Sequence, residues 1–272
     1  MTDLQGRLLE MFVWFHDLCE EHGLRYYALG GTMLGAARHQ GFIPWDDDID
    51  VGMPRYDYEK LEQIMRRDHD ERYVLETPRT EAEEFFYPFS KIYDTRTTLV
   101  ENTRLMIKRG IYLDIFPLDG IGDSEQESRK NYRSINWKYN LLLTRVTGIR
   151  EGRSKLKNAA VVLARLIPNG ILDNKKLLLG LEQDCKKYGF DDCAWVGNLV
   201  GAWRTRELMP KEYLGEPSLY KFEGKQMYGP EKYDEYLTCL YGDWRKLPPK
   251  EKQVSHHDFV EFDLHKSYLD NF

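Results

Sequence analysis

Cysteine is scarce and dispersed: Cys19, Cys185, Cys193 and Cys239 form no Cys-x-x-Cys pair and have no histidine at zinc-ligand spacing. That argues against a disulfide framework or a zinc finger and favours reduced thiols. No apolar run approaches the roughly 18 residues of a membrane-spanning helix. The opening Met1-Thr2-Asp3-Leu4-Gln5 lacks the basic-then-apolar pattern of a secretory signal. The expectation is a cytoplasmic protein. Positive charge is also short, with 39 Lys and Arg against 45 Asp and Glu and a formal net charge of -6. This disfavours a nucleic-acid partner, which needs a basic face. Low-complexity stretches and internal repeats are absent. What remains is 42% hydrophobic and 13% aromatic, enough for a sizeable core over 272 residues.

The periodicity divides the chain. Leu4, Leu8, Met11, Phe12, Phe15 and Leu18 recur at helical spacing over 3–22, and Gly23 ends the pattern. Arg25 to Leu29 has strand composition, Gly30-Gly31 reads as a tight turn, and Thr32 as the cap of a helix to about His39. Asp48 to Met53 alternates acid and apolar residues as a half-buried strand does, and Pro54 opens a helix through Arg66. Strands are expected at 72–76, 86–93, 97–101 and 111–117, closing a mixed sheet packed by helices. Helices follow at 124–147, 154–166 and 171–188, then a short strand pair near 193–227 and a helix from Pro230 to Leu240. The fold class is α/β (α+β), with a core at 1–120 and a mainly helical region at 121–272 that completes the substrate cleft.

Chemistry concentrates in Trp45-Asp46-Asp47-Asp48-Ile49-Asp50. Within a strand Asp48 and Asp50 share one face while Ile49 and Val51 point to the core, which leaves Asp46 and Asp47 to the approach loop. Two carboxylates that close repel unless a cation sits between them, and their oxygens suit a hard divalent ion. Asp114, inside the apolar run Ile111 to Phe116, is a third acid that faces the same site if the two strands are neighbours. A calcium loop is the rival reading: Asp46, Asp48 and Asp50 match the first, third and fifth EF-hand ligands, but Val51 stands where glycine is needed and Asp57 where glutamate is. Gly30, Gly31 and Thr32 can offer backbone N–H groups at a helix start to a phosphate.

Gly30-Gly31-Thr32-Met33-Leu34-Gly35-Ala36-Ala37-Arg38-His39, followed by Gly41-Phe42-Ile43-Pro44-Trp45-Asp46-Asp47-Asp48-Ile49-Asp50, closely resembles the LicD family of phosphotransferases. Ser90-Lys91-Ile92-Tyr93-Asp94, the run Tyr112 to Asp119, and the tail from Tyr241-Gly242-Asp243-Trp244 to Leu247-Pro248-Pro249 are similar to it as well. The resemblance spans most of the chain and is weakest over 125–190. It implies a nucleotidyltransferase-like fold that transfers phosphocholine from CDP-choline to a sugar hydroxyl of a teichoic acid or other surface-glycan precursor, releasing CMP.

Fukutin-related ribitol-phosphate transferases share the motif set, so another alditol- or alcohol-phosphate or nucleotidyl transfer is the alternative, and a non-enzymatic calcium-binding module is the second. Carried over, Asp48 and Asp50 bind Mg2+, with Mn2+ as a substitute, and Asp114 is a third ligand or the general base. Gly30, Gly31 and Thr32 touch phosphate, and Arg38 and Lys91 neutralise charge on the transferred phosphoryl group. His257, beside His256, is a candidate for reaching acceptor or phosphate. Choline would need aromatic faces; Trp195 and Trp203 are candidates with only a weak claim among six Trp and eighteen Tyr. Lys155, Lys157 and Arg165 beside Leu156, Val161, Leu163 and Ile167 suggest a helix able to rest on the inner membrane face, near a lipid-linked acceptor.

Overall fold

The computed structural model describes residues 1–68, 70–81, 85–101, 107–146, 159, 161–162, 172–255 and 259–271. Helix α1 (Asp3–His22) opens on a reciprocal cap: the Gln5 N–H donates to the Thr2 hydroxyl, and the Thr2 N–H donates to the Gln5 side chain. It closes at Gly23, whose φ of 59° is left-handed and suits glycine. The stripe Leu8, Met11, Phe12 and Phe15 is buried, as the spacing predicts.

The principal sheet is mixed. Its path runs β1 (Tyr27–Ala28), β2 (Asp50–Pro54), β7 (Tyr112–Gly122), β4 (Ser90–Asp94), β3 (Tyr73–Glu76). The β2–β7 pairing is parallel and the others along this path are antiparallel. The far half of β7 pairs with β8 (Trp195–Gly197), which pairs with β9 (Leu208–Pro210). Residues from both sides of position 120 therefore share one sheet. Ile49, Val51, Met53, Leu113 and Ile115 are fully buried, so the alternation read in the sequence does orient these segments. Helices α2 (Gly30–His39), α3 (Arg55–Asp68) and α1 cover the core. A second apolar cluster joins α4 (Glu125–Val146) to α5 (Asn174–Cys185) through Tyr132, Ile135, Leu142, Leu178 and Leu181.

Several expectations change. Gly30 and Gly31 are the first turn of α2 and not a loop; Leu29 is the cap residue, and Thr32 lies within the helix. Strand β2 starts at Asp50, where the ladder with β7 begins, so Asp48 lies in the preceding loop. Strand β5 (Thr98–Glu101) leaves the principal sheet and pairs with β6 (Lys108–Arg109) and β12 (Phe259–Asp263). The strand pair expected near 193–227 is two pairs: β8 with β9 on the principal sheet, and the hairpin of β10 (Ser218–Phe222) with β11 (Lys225–Gly229). The short α6 (Lys211–Leu214) precedes the hairpin, and α7 (Tyr233–Tyr241) follows it. The basic amphipathic helix expected at 154–166 falls almost wholly outside the described residues. No helix among the described residues is long and apolar enough to cross a membrane.

A buried ion network ties these layers together. Arg55, at the start of α3, donates two hydrogen bonds to Asp119 of β7 at 2.8 and 2.5 Å and lies 3.6 Å from Glu182 of α5. Arg79 bridges Glu62 of α3 and the same Glu182. Asp119 is 1% exposed, so its loss would leave the Arg55 charge enclosed with its main partner gone. Asp119→Ala is expected to lower unfolding stability by roughly 3–5 kcal/mol, the usual cost of breaking a buried pair; urea titration measures it, and a loss below about 1 kcal/mol would contradict the account.

Candidate active site

The parallel register puts Asp50 beside Asp114, and the antiparallel β4–β7 register puts Lys91 beside Asp114 on its other flank. One row across three strands thus reads Asp50, Asp114, Lys91. Lys91 Nζ lies 2.8 Å from Asp114 Oδ1, off the hydrogen-bonding direction, and 3.7 Å from Glu101. It also sits 3.3 Å from the centre of the Tyr112 ring and 4.4 Å from that of Tyr87. At 2% exposed, Lys91 is a buried counter-ion beneath the acids.

Helix α2 holds the row from above. The Asp50 N–H donates to the Thr32 hydroxyl at 2.8 Å, and the Leu29 N–H donates to the Asp50 carbonyl at 3.0 Å. Gly30 enters the helix at φ +49°, and its N–H donates to the Tyr236 hydroxyl. At Gly31 a β-carbon would lie 2.6 Å from Asp46 Oδ2, so only glycine lets that carboxylate approach the helix start. Asp46, Asp47 and Asp48 each offer an oxygen within 4.8 Å of the others, and the Ser255 hydroxyl donates to Asp47.

Like charge and burial act together here. Asp50 keeps a partly accessible surface, yet protein surrounds it, and burial, then Asp48, Asp114 and Asp46, push its pKa well above the ordinary carboxylate range. Asp114 is pushed up to about 6, chiefly by burial, with Lys91 pulling the other way. An assembly of acids that resist joint ionisation and present hard oxygen donors fits a divalent cation. The EF-hand reading fails on geometry, because Asp50 to Pro54 is sheet strand where that loop would have to turn.

The acids open into a cleft of about 760 Å³ whose lining includes Gly31, Arg38, Trp45, Asp46, Asp48, Asp50, Trp203, Tyr241, Trp244, Lys246 and Lys252. Of the residues nominated from the sequence, Asp48, Asp50, Gly31, Arg38 and Trp203 line it. Asp114 and Lys91 are not in its lining; the sheet register sets them in the buried row beside Asp50. Gly30 and Thr32 support it from the frame, since the bonds just described engage the Gly30 N–H and the Thr32 hydroxyl. Arg38 donates to the Trp244 carbonyl, leaving its buried Nε without a hydrogen-bond partner in the described structure. Trp195 packs on the second apolar cluster and is not in the cleft lining. His257 lies outside the described residues. The sequence pattern assigned Asp46 to the approach loop and nominated neither Trp45, Tyr241 nor the lysines; the Tyr241 to Trp244 run was noticed as a motif but its place was not.

Glu207, 7% exposed, supports the cleft's far wall by accepting the Trp203 N–H at 2.8 Å. Burial pushes its pKa up to about 8.

A family model described as LicD/FKTN/FKRP, nucleotidyltransferase domain, matches residues 23–141. The chain is 33% identical over 252 residues, 92% of each protein, to the lipopolysaccharide cholinephosphotransferase LicD of Haemophilus influenzae. It is 49% identical over 45 residues to the human ribitol 5-phosphate transferase FKRP, covering 16% of this chain and 9% of that one. An uncharacterized protein of Rickettsia prowazekii is 46% identical over 50 residues, 18% of this chain and 19% of its own.

With its folded pKa about 8, Glu207 contributes no penalty below its ordinary pKa of 4.5, where folded and unfolded chains both hold the proton. Between those values the unfolded chain ionises first and stability falls as pH rises. Glu207→Gln is therefore expected to gain stability over the parent as pH increases from 5 to 8, the difference growing to a few kcal/mol. Urea midpoints of both proteins at pH 5, 6.5 and 8 check it; parallel profiles would refute it.

Proposed function

Since the chain belongs to the LicD family of phosphotransferases, we propose that it moves phosphocholine from CDP-choline to a sugar hydroxyl of a surface-glycan precursor such as a teichoic acid, releasing CMP. The observation that carries this reading is the meeting of Asp46, Asp48 and Asp50 in one cleft above the buried Asp114. The acceptor hydroxyl attacks the phosphorus that bears choline, the bond to the CMP oxygen breaks, and Asp114 takes the hydroxyl proton. A carboxyl titrating near 6 can accept a proton at neutral pH and return it afterwards.

Asp48 and Asp50, with Asp46 joining them, would hold Mg2+, or Mn2+ in its place. When bound, that ion supplies positive charge to the diphosphate oxygens as negative charge moves onto the leaving CMP. Arg38 lines the same cleft and adds a fixed cation for phosphoryl oxygens. Lys91 keeps Asp114 from losing its charge altogether, which preserves a base beside Asp50. The second reading, transfer of an alditol phosphate such as ribitol phosphate, draws on the short match to FKRP.

Incubation with CDP-choline, CDP-ribitol and CTP, with and without a glycan acceptor, separates these readings. CMP release from CDP-choline that stops on adding EDTA is expected; release from CDP-ribitol alone would favour the second reading, and pyrophosphate from CTP would overturn both. Asp50→Asn is expected to remain folded and to lose at least about 100-fold in kcat, the scale of a lost charge-stabilising group. Gly31→Ala, which crowds Asp46, is expected to weaken Mg2+ binding several-fold in calorimetry; unchanged affinity would remove Asp46 from the metal site.

A further inference from the structure

Resting on that reading, we infer that Trp203 and Tyr241 form the seat of the donor's quaternary ammonium group, so that this corner of the cleft selects choline over uncharged alcohols. A trimethylammonium head has no hydrogen to donate, so it is recognised by aromatic faces and nearby negative charge.

The cleft supplies both. Trp203 is 40% exposed and lines the cleft, and its ring meets that of Tyr241 edge-on, with centroids 4.9 Å apart at 76°. Two rings at that angle make a corner. Asp46, Asp48, Asp50 and Asp243 line the same space. Position agrees with the chemistry. The point where Gly30 would carry a side chain lies 3.6 Å from Asp50 Oδ2 and 3.8 Å from the Tyr241 hydroxyl, so the aromatic corner adjoins the acids that would hold the diphosphate. Choline sits one ester bond from the phosphorus under attack, which requires this adjacency.

Trp45 lines the cleft as well, but the ring that meets Tyr241 is that of Trp203; Trp244 and Trp195 suit the role less well. Trp244 is 6% exposed, its Nε1–H donates to Asp234, and Arg245 lies 4.5 Å above its ring. Trp195 packs on the second apolar cluster and is not in the cleft lining. Arg206 stands 5.8 Å from the Trp203 ring centre, near the outer limit of such contacts, and is tethered to the Leu240 carbonyl. The Trp203 backbone is fixed by its bond to Glu207, so the ring is presented on a fixed segment.

The test is calorimetric binding of phosphocholine, CDP-choline and CMP to the parent protein, Trp203→Leu and Trp203→Phe, with CMP release from CDP-choline in the presence of a glycan acceptor measured alongside. Trp203→Leu is expected to weaken phosphocholine and CDP-choline by at least about tenfold and to leave CMP unchanged, while Trp203→Phe, which keeps a ring face, retains most of the affinity. Equal weakening of CMP would mean that Trp203 stacks on the base, and would overturn the inference, as would phosphocholine binding that ignores the substitution or is absent from the parent. Trp203-dependent phosphocholine binding without CMP release would leave the seat standing and remove the transferase reading. CMP release insensitive to Trp203 would do the reverse.

Discussion

The parallel pairing of β2 with β7 is the constraint on which the site depends. It brings Asp50 and Asp114, more than sixty residues apart in the chain, to facing positions in one ladder. A slip of one residue would turn Leu113 and Ile115 toward the cleft and drive Asp114 into the core. Ile49, Val51, Leu113 and Ile115 are all fully buried, so the hydrophobic pattern guards the register, and the register sets the acids. The two carboxylates are thus held close by apolar packing on the opposite face of the same strands.

That closeness works against folding. Burial and then neighbouring acids lift Asp50 and Asp114 from the ordinary carboxylate range, and Lys91 offsets only part of this. Stability is supplied elsewhere, chiefly by the large apolar core. One strand therefore carries two acids that burial pushes up alike but whose partners differ. Asp119 is matched by a guanidinium that donates two bonds to it. Asp114 has an off-axis lysine and other acids nearby, and so keeps chemical potential for a proton or a cation.

The cleft also joins distant parts of the chain. Its acidic floor and the start of α2 come from the first half of the sequence, while Trp203, Tyr241, Trp244, Lys246 and Lys252 come from the last third. β8 and β9 extend the principal sheet from that last third and anchor the segment bearing Trp203 beside it. The reacting groups and the groups that would recognise the donor's head are thus supplied separately, which fits one chemistry serving different cargoes.

Much was legible in local pattern. The helical stripe and Gly23 marked α1 to the residue, and alternation around Ile49 and Leu113 identified the two strands whose pairing matters. The Asp-rich run announced the site because acids amid buried apolar residues need a reason. Local pattern misled where a neighbour decides the outcome. Asp48 continues the alternation but precedes the ladder, Thr32 resembles a cap but its hydroxyl serves Asp50, and Thr98 to Glu101 has strand composition but pairs outside the principal sheet. Asp46, set aside as approach loop, returns to the cleft because Gly31 leaves room for its carboxylate. The sequence by itself determined which segments bury and which residues carry charge, because those follow from side-chain chemistry and period. Only the tertiary structure decided which acids share a volume, which cation is enclosed beneath them and which aromatic rings stand beside them, because each depends on pairings between residues far apart in the chain.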